Sequence, residues 1–71
     1  MELYLTNHAI SRMLLRNISR DEITAVLANP QWMPATTRGR RYDAMVGGRR
    51  IAVVVEEGTD PLRVVTVFEA Q

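Results

Sequence analysis

The sequence predicts an α+β domain in which a short strand and two helices precede a three-stranded antiparallel sheet that packs on the helices. Three observations lead to this prediction: two early stretches with apolar residues at helical spacing, three later stretches typical of strands, and a Gly-Gly pair between two of those strands. The connections are short, so both helices are expected on one face of the sheet. Because 71 residues provide only one small core, residues 1–71 are expected to form a single domain.

The first helix is predicted within residues 6–19, after a short edge strand at residues 2–5. Either Thr6 or Asn7 can cap this helix, since each side chain offers an oxygen to the free N–H groups of the first turn. The helix is expected to end at residues 17–18. Its predicted buried stripe consists of Ala9, Ile10, Met13 and Leu14.

The second helix has the clearest start signal in the chain. Ser19 and Glu22 have the spacing of a capping box, in which each side chain binds the backbone N–H of the other residue. Ile18 and Ile23 have the spacing of the hydrophobic staple that often accompanies such a box. Pro30 ends the helix, because the residue before a proline avoids helical geometry. The predicted buried stripe is Ile23, Val26 and Leu27.

A tight hairpin is predicted at Gly47 and Gly48, because glycine accepts the positive φ angles of a two-residue turn. The turn sets a register that pairs Val46 with Arg49, Ala44 with Ile51 and Tyr42 with Val53. The side chains expected to face the helices are Tyr42, Ala44, Val46, Ile51, Val53 and Val55. The opposite face carries Arg41, Asp43, Met45, Arg50, Ala52 and Val54, with Asp43 diagonal to Arg50. A last strand at residues 62–69 is apolar on both faces, which favours a central position.

The composition excludes several kinds of site. Cysteine is absent and histidine occurs once, so disulfides, thiol nucleophiles and zinc sites made of Cys/His clusters are excluded. We therefore expect no metal and no cofactor. The longest apolar run, residues 51–55, is too short to cross a bilayer, and the first residues lack the pattern of a secretion signal. We expect a cytoplasmic protein without a membrane partner.

A cationic stripe lies along the first helix, formed by His8, Arg12 and Arg16 at four-residue spacing. No acidic residue occurs between residues 6 and 18, so these arginines have no partner within their own helix. Two interpretations stay open: the arginines pair with an acidic cluster near the C-terminus, or they are free to bind an anionic ligand. The C-terminal acidic cluster consists of Glu56, Glu57, Asp60 and Glu69.

Several short motifs follow one another in a distinctive spacing. They are His8-Ala9, Arg12-Met13, Arg16, Ile18-Ser19 and Ile23, then Arg40-Arg41-Tyr42 and Val64-Val65-Thr66-Val67. In this arrangement the chain resembles, over nearly its whole length, the small prokaryotic domain-of-unknown-function family numbered 4258. That family is similar in element order to the RelE and ParE type toxins, and it has been grouped with the metal-independent barnase, EndoU, colicin and RelE ribonuclease fold.

The resemblance implies a metal-independent endoribonuclease of the toxin type, or a diverged relative that still binds RNA. In the implied reaction, the ribose 2′-hydroxyl attacks the neighbouring phosphate and leaves a cyclic phosphate end. His8 would accept the proton, because an imidazole titrates near neutral pH. Arg12 and Arg16 would hold phosphates, since a guanidinium group matches a phosphate with two parallel hydrogen bonds.

The resemblance also implies contributions from the strands. Arg40 or Arg41, brought over from the hairpin, would bind RNA and stabilise the charge of the transition state. Tyr42 or Thr66 would orient a proton or a ribose hydroxyl. The expected partners are thus RNA and, by analogy with toxins, an antitoxin-like protein.

Two features depart from that pattern: the net charge is only +1, and no carboxylate is evidently paired with His8. An alternative function is a non-catalytic protein-interaction module, either bound by a partner or joined as a homodimer through a sheet edge or the apolar positions Met45, Ala52 and Val54. A third hypothesis is a small anionic ligand at the start of the first helix. The structure around His8, Arg12 and Arg16 decides between an open site and closed ion pairs.

Overall fold

The computed structural model describes residues 1–71, and its elements follow the predicted order. They are β1 (Leu3–Leu5), α1 (Asn7–Arg16), α2 (Arg20–Ala28), β2 (Arg40–Val46), β3 (Arg49–Glu56) and β4 (Leu62–Ala70). The strands form one sheet in the order β1-β4-β3-β2. Neither helix is long and apolar enough to span a membrane.

The α+β class is confirmed, but the sheet has four strands rather than three. β1 pairs with β4 in parallel, whereas β3 pairs antiparallel with both β4 and β2. Parallel pairing needs a long connection between the two strands, and both helices and the hairpin supply it here. The N-terminal strand therefore forms one edge of the sheet, and β4 lies in the interior, as predicted.

α1 begins at Thr6, whose Oγ1 accepts a hydrogen bond from the N–H of Ala9 and donates one to the carbonyl of Val65. The helix packs chiefly on β4, and Ala9 is its only fully buried residue. The prediction that Ile10 and Leu14 belong to the buried stripe is wrong. Because α1 touches the sheet along one narrow line, only Ala9 and the half-buried Met13 reach the core.

α2 confirms the capping box. The hydroxyl of Ser19 accepts a hydrogen bond from the N–H of Glu22 at 3.1 Å, and the N–H of Ser19 donates to Glu22 Oε1 at 2.9 Å. Ile23 and Val26 are fully buried, and Leu27 packs against the same core. α2 covers β2 and β3, so the two helices together cover one face of the sheet.

The hairpin register is confirmed, with Val46 opposite Arg49, Ala44 opposite Ile51 and Tyr42 opposite Val53. One face of the sheet therefore contributes to the core beneath the helices. Its buried strand residues are Leu3, Ala44, Ile51, Val53, Val55, Val64 and Val67. The opposite side, which we call the second face, carries Arg41, Asp43, Ala52, Val54, Thr66 and Phe68.

The outer edge of β2 is covered by the segment that follows α2. The N–H groups of Gln31 and Trp32 donate to the carbonyl of Asp43, and the N–H of Asp43 donates to the carbonyl of Trp32. The side chain of Gln31 accepts a further hydrogen bond from the N–H of Met45 at 2.6 Å. This segment thus occupies backbone groups that an edge strand would otherwise expose.

Candidate functional site

The cationic stripe of α1 is open to solvent. Thr6 caps the helix and Asn17 ends it in a left-handed conformation with a φ of 54°, so three successive turns carry His8, Arg12 and Arg16. No carboxylate oxygen lies within 4.0 Å of either arginine, and none of the three side chains forms a hydrogen bond. His8 and Arg16 are exposed, and Arg12 is half-buried.

The C-terminal acidic cluster does not neutralise this stripe, because three of its four carboxylates bind other arginines and Asp60 forms no ion pair. Glu57 binds Arg40 at 3.2 Å, and Glu56 binds Arg63 at 3.3 Å. Glu69 lies 3.6 Å from Arg49. The sequence left two interpretations open. The one in which Arg12 and Arg16 pair with the acidic cluster is therefore wrong.

Arg49 holds the C-terminal end of α1 in place, and the side chain of Arg16 takes no part in this contact. Its guanidinium donates to the backbone carbonyls of Arg16 and Asn17 and to the carboxylate of Glu22. A cation at this position interacts favourably with the carbonyls that a helix leaves unpaired at its C-terminus. The contact ties α1 to the start of α2 and to the hairpin, while the Arg16 side chain remains exposed.

The second face contains a fully buried carboxylate, that of Asp43. Arg41 binds both of its oxygens at 2.8 Å, and Arg50 Nε donates to Oδ2 at 2.8 Å. Burial alone would raise the pKa of Asp43, but the hydrogen bonds from Arg41 and Arg50 outweigh it and hold that pKa below its usual value. The predicted pairing of Asp43 with Arg50 is confirmed, and Arg41 is a second partner.

Two aromatic rings complete this network. The Arg50 guanidinium lies 4.2 Å from the centre of the Trp32 ring, and that of Arg41 lies 5.0 Å from the Phe68 ring. Ala52, between Asp43 and Phe68 in the strand register, is fully buried. The apolar patch expected around Met45, Ala52 and Val54 is thus largely covered, and only Met45 is exposed.

The residues predicted to act together do not lie in one site. Arg41 and Thr66 lie on the second face, whereas α1 lies over the opposite face, so the sheet separates them from the cationic stripe. Tyr42 packs against the core, and Arg40 is exposed beside Glu57. The structure thus brings His8, Arg12 and Arg16 together without the four strand residues, whose roles stay predictions.

A groove of about 420 Å³ beside the start of β2 and the end of β3 was not anticipated from the sequence. It is lined by Arg38, Gly39, Val54, Val55, Glu56 and Val65. Gly39 has a φ of 65°, and a Cβ there would collide with the carbonyl oxygen of Val55. This close approach requires glycine. Arg38 forms no ion pair, but the lining carries a carboxylate as well, so the groove offers less net positive charge than α1.

Sequence reasoning also missed the exposed apolar residues Leu14 and Leu15 of α1. The available signal was that the apolar residues of α1 extend around most of the helix, more than one narrow contact line can bury. No group of three or more His, Cys, Asp or Glu side chains lies in an arrangement able to hold a metal ion.

Comparison with known proteins gives one match. The model of a family described as Domain of unknown function (DUF4258) matches residues 5–69. No curated protein and no solved structure gives a significant match. The match begins at the last residue of β1 and covers both helices, β2, β3 and all but the last residue of β4.

Proposed function

Because a single family model spans residues 5–69, the chain belongs to the DUF4258 family, and we propose that it binds RNA as a diverged relative of RelE-like, metal-independent endoribonucleases. One observation carries the proposal. Arg12 and Arg16 have no carboxylate partner, whereas five of the nine arginines in the chain form ion pairs.

The chemistry of the stripe suits a phosphate chain. Residues four apart on a helix stand about 5–6 Å from each other at Cβ, so two guanidinium groups can bind neighbouring phosphates of one strand. Each guanidinium can donate two parallel hydrogen bonds to a phosphate. His8, in the first turn, lies beside the free N–H groups that also favour an anion.

The catalytic form of the proposal assigns His8 the role of proton acceptor for the ribose 2′-hydroxyl, with Arg12 one turn away to stabilise charge on the phosphate. As the 2′-oxygen bonds to phosphorus, the bond from phosphorus to the 5′-oxygen of the next nucleotide breaks, and that oxygen takes up a proton from water. The cleavage uses no metal and leaves a cyclic phosphate. Arg40, Arg41, Tyr42 and Thr66 lie outside this group, so the proposal gives them no part in the proton transfer.

RNA binding is tested by fluorescence anisotropy with a short, labelled single-stranded RNA. Replacing Arg12 and Arg16 by Gln should weaken binding at least about tenfold, because two charge-assisted contacts are lost. The slope of log affinity against log salt should fall by about 1.4, at about 0.7 per phosphate contact on a single strand. Arg38→Gln is the matched control, because Arg38 also lacks an ion pair but lies outside the cationic stripe. Equal losses in both proteins would contradict the proposal.

Catalysis is tested separately with RNA incubated in excess chelator. The wild-type chain should cut the RNA and leave cyclic phosphate ends, identified by mass spectrometry, because the attacking oxygen belongs to the substrate itself. His8→Ala should abolish cutting and leave the melting temperature unchanged, since His8 is exposed and forms no hydrogen bond. If RNA stays intact with the wild-type protein, the catalytic form of the proposal is excluded and RNA binding remains as the proposed function.

A second candidate function is a protein-interaction module, for which the exposed leucines of α1 provide a specific observation. Such a module would be held by an antitoxin-like partner or would pair with a second copy. Multi-angle light scattering distinguishes the homodimer from the monomer, and a strictly monomeric protein would exclude the homodimer.

A further inference from the structure

The outward side of α1 exposes more apolar surface than a solvated helix needs. Leu14 is 79 % exposed, Leu15 is 68 % exposed and Ile10 is 42 % exposed. We call these three residues the apolar flank of α1. Scattered exposed leucines are ordinary, but here three large aliphatic side chains are exposed on one ten-residue helix, and Ile10 and Leu14 among them lie one turn apart.

The apolar flank is continuous with the cationic stripe. Leu15 lies one turn after Arg12, so these two side chains are neighbours on the helix surface, whereas Ile10 and Leu14, one turn apart, lie beyond Leu15 on the side away from the arginines. Because α1 contains no acidic residue, a molecule that covers this surface meets apolar atoms and uncompensated positive charge together. A fitting partner therefore combines apolar side chains with carboxylates.

The charges argue against a second copy of this chain as that partner. Two α1 helices packed through their apolar flanks would bring four unpaired arginines, Arg12 and Arg16 from each copy, into one interface. Like charges at such short range oppose association. A partner with the opposite charge is attracted by the same groups.

The sheet edges argue against a partner that binds as an extended strand. On β1, the guanidinium of Arg20 donates to the carbonyl of Leu3 at 3.2 Å. On β2, Gln31 and Trp32 occupy backbone groups of Asp43 and Met45. The open surface is instead that of a helix, and a second helix is the element that packs on it with apolar residues at three- and four-residue spacing.

We propose that the outward side of α1 is a docking surface for an acidic amphipathic helix of a protein partner. The leucines of that helix lie on Leu14 and Leu15, and its carboxylates bind Arg12 and Arg16. A partner so placed covers the arginines and competes with RNA. This competition rests on the proposed RNA-binding function, whereas the docking itself does not.

The docking is tested with three fluorescein-labelled helical peptides that share one leucine spacing. Their flanking positions carry glutamate in the first peptide, glutamine in the second and lysine in the third. Anisotropy titrations of the 71-residue chain should rank the affinities in that order, with glutamate at least about tenfold tighter than lysine. Equal binding of all three peptides, or no binding of the glutamate peptide, would overturn the proposal.

Variants locate the contact. The double variant Leu14→Ser/Leu15→Ser should weaken binding of the glutamate peptide at least about tenfold, and its melting temperature should not fall because both side chains are exposed. Met33→Ser is the matched control, since Met33 is also exposed but lies outside α1. The charge reversal Arg12→Glu/Arg16→Glu should invert the preference, so that the lysine peptide binds more tightly. Equal effects of the α1 variants and Met33→Ser would also overturn the proposal.

Competition with labelled single-stranded RNA separates this inference from the proposed function. Displacement of RNA by the glutamate peptide supports both. If the peptide binds and RNA never does, the proposed RNA function fails and the docking surface stands. If RNA binds and the glutamate peptide does not, the docking surface fails and the RNA function stands.

Discussion

At the scale of single residues, the buried carboxylate of Asp43 is the charge that the fold has to compensate. It is the only charged residue among the 13 that are fully buried. Burying a carboxylate is costly unless it is paired and hydrogen-bonded, and here Arg41 and Arg50 supply three hydrogen bonds to its two oxygens. The aromatic rings of Trp32 and Phe68 then hold the two guanidinium groups in position.

We predict that Asp43→Asn lowers the free energy of unfolding by about 2–4 kcal/mol. The amide keeps the shape of the side chain, but it removes the negative charge and presents N–H groups to two half-buried guanidinium groups. Urea denaturation followed by circular dichroism measures the loss. Glu2→Gln, which also removes one carboxylate but forms no ion pair, should change stability by no more than about 0.5 kcal/mol. A similar value for the two variants would show that Asp43 is not important for stability.

At the scale of secondary-structure elements, Arg49 joins three of them. From the hairpin it reaches the last carbonyls of α1, the capping-box carboxylate Glu22 of α2 and the carboxylate of Glu69 on β4. The N–H of Ser19 is the main cause that lowers the pKa of Glu22, and Arg49 lowers it further. One side chain thus completes the α1 C-terminus and supports the α2 N-terminus.

We predict that Arg49→Ala lowers the free energy of unfolding by about 2 kcal/mol, because several charge-assisted hydrogen bonds and a cation at a helix C-terminus are lost together. Hydrogen exchange should show faster opening at the end of α1 and the start of α2 than elsewhere. Arg40→Ala is the control: its pair with Glu57 is exposed, so its removal should cost no more than about 0.5 kcal/mol. Uniform exchange throughout the chain would argue against a link at this junction.

At the scale of the whole molecule, the arginines divide into two classes. Those on the hairpin and β4 are paired with carboxylates, whereas Arg12 and Arg16 on α1, and also Arg20 and Arg38, form no ion pair. The net charge of only +1 does not reveal this division, because it sums paired and unpaired arginines together. Both sheet edges are also partly covered, and α1 is the element on which two unpaired arginines stand one turn apart.

The pH dependence of stability is also a property of the whole fold. The pKa values of Asp43 and Glu22 both lie below their ordinary values of 3.8 and 4.5. Groups of this kind stabilise the fold fully above the pKa of the unfolded chain, and that stability is lost as pH falls through the lowered pKa of the folded chain.

We therefore predict a melting temperature that changes little above about pH 5 and falls between about pH 5 and pH 2. The double variant Asp43→Asn/Glu22→Gln should melt lower at neutral pH and show a shallower fall in acid, because neither replacement can be protonated there. Thermal denaturation across this pH range provides the measurement. If the melting temperature of the double variant falls in acid as steeply as that of the wild type, other carboxylates cause the fall.

Several features could be predicted from the sequence because they depend on residues close together in the chain. Ser19 and Glu22 satisfy each other across three residues, and the Gly47-Gly48 turn sets the register of the whole hairpin. The alternation along β2 and β3 then decides which side chains face the helices. The family was recognised from motifs of the same local kind, and the match over residues 5–69 agrees with it.

By itself, the sequence determined the two helices, the hairpin, the α+β class and the lack of an acidic partner within α1. Only the tertiary structure decided that β1 joins β4 in parallel, that Leu14 lies in solvent, and that Arg49 rather than Arg16 binds Glu22 and Glu69. The physical reason is distance along the chain. Caps and turns are satisfied by neighbours, whereas strand pairing, burial and ion pairing depend on how segments tens of residues apart come together, which short-range patterns do not encode.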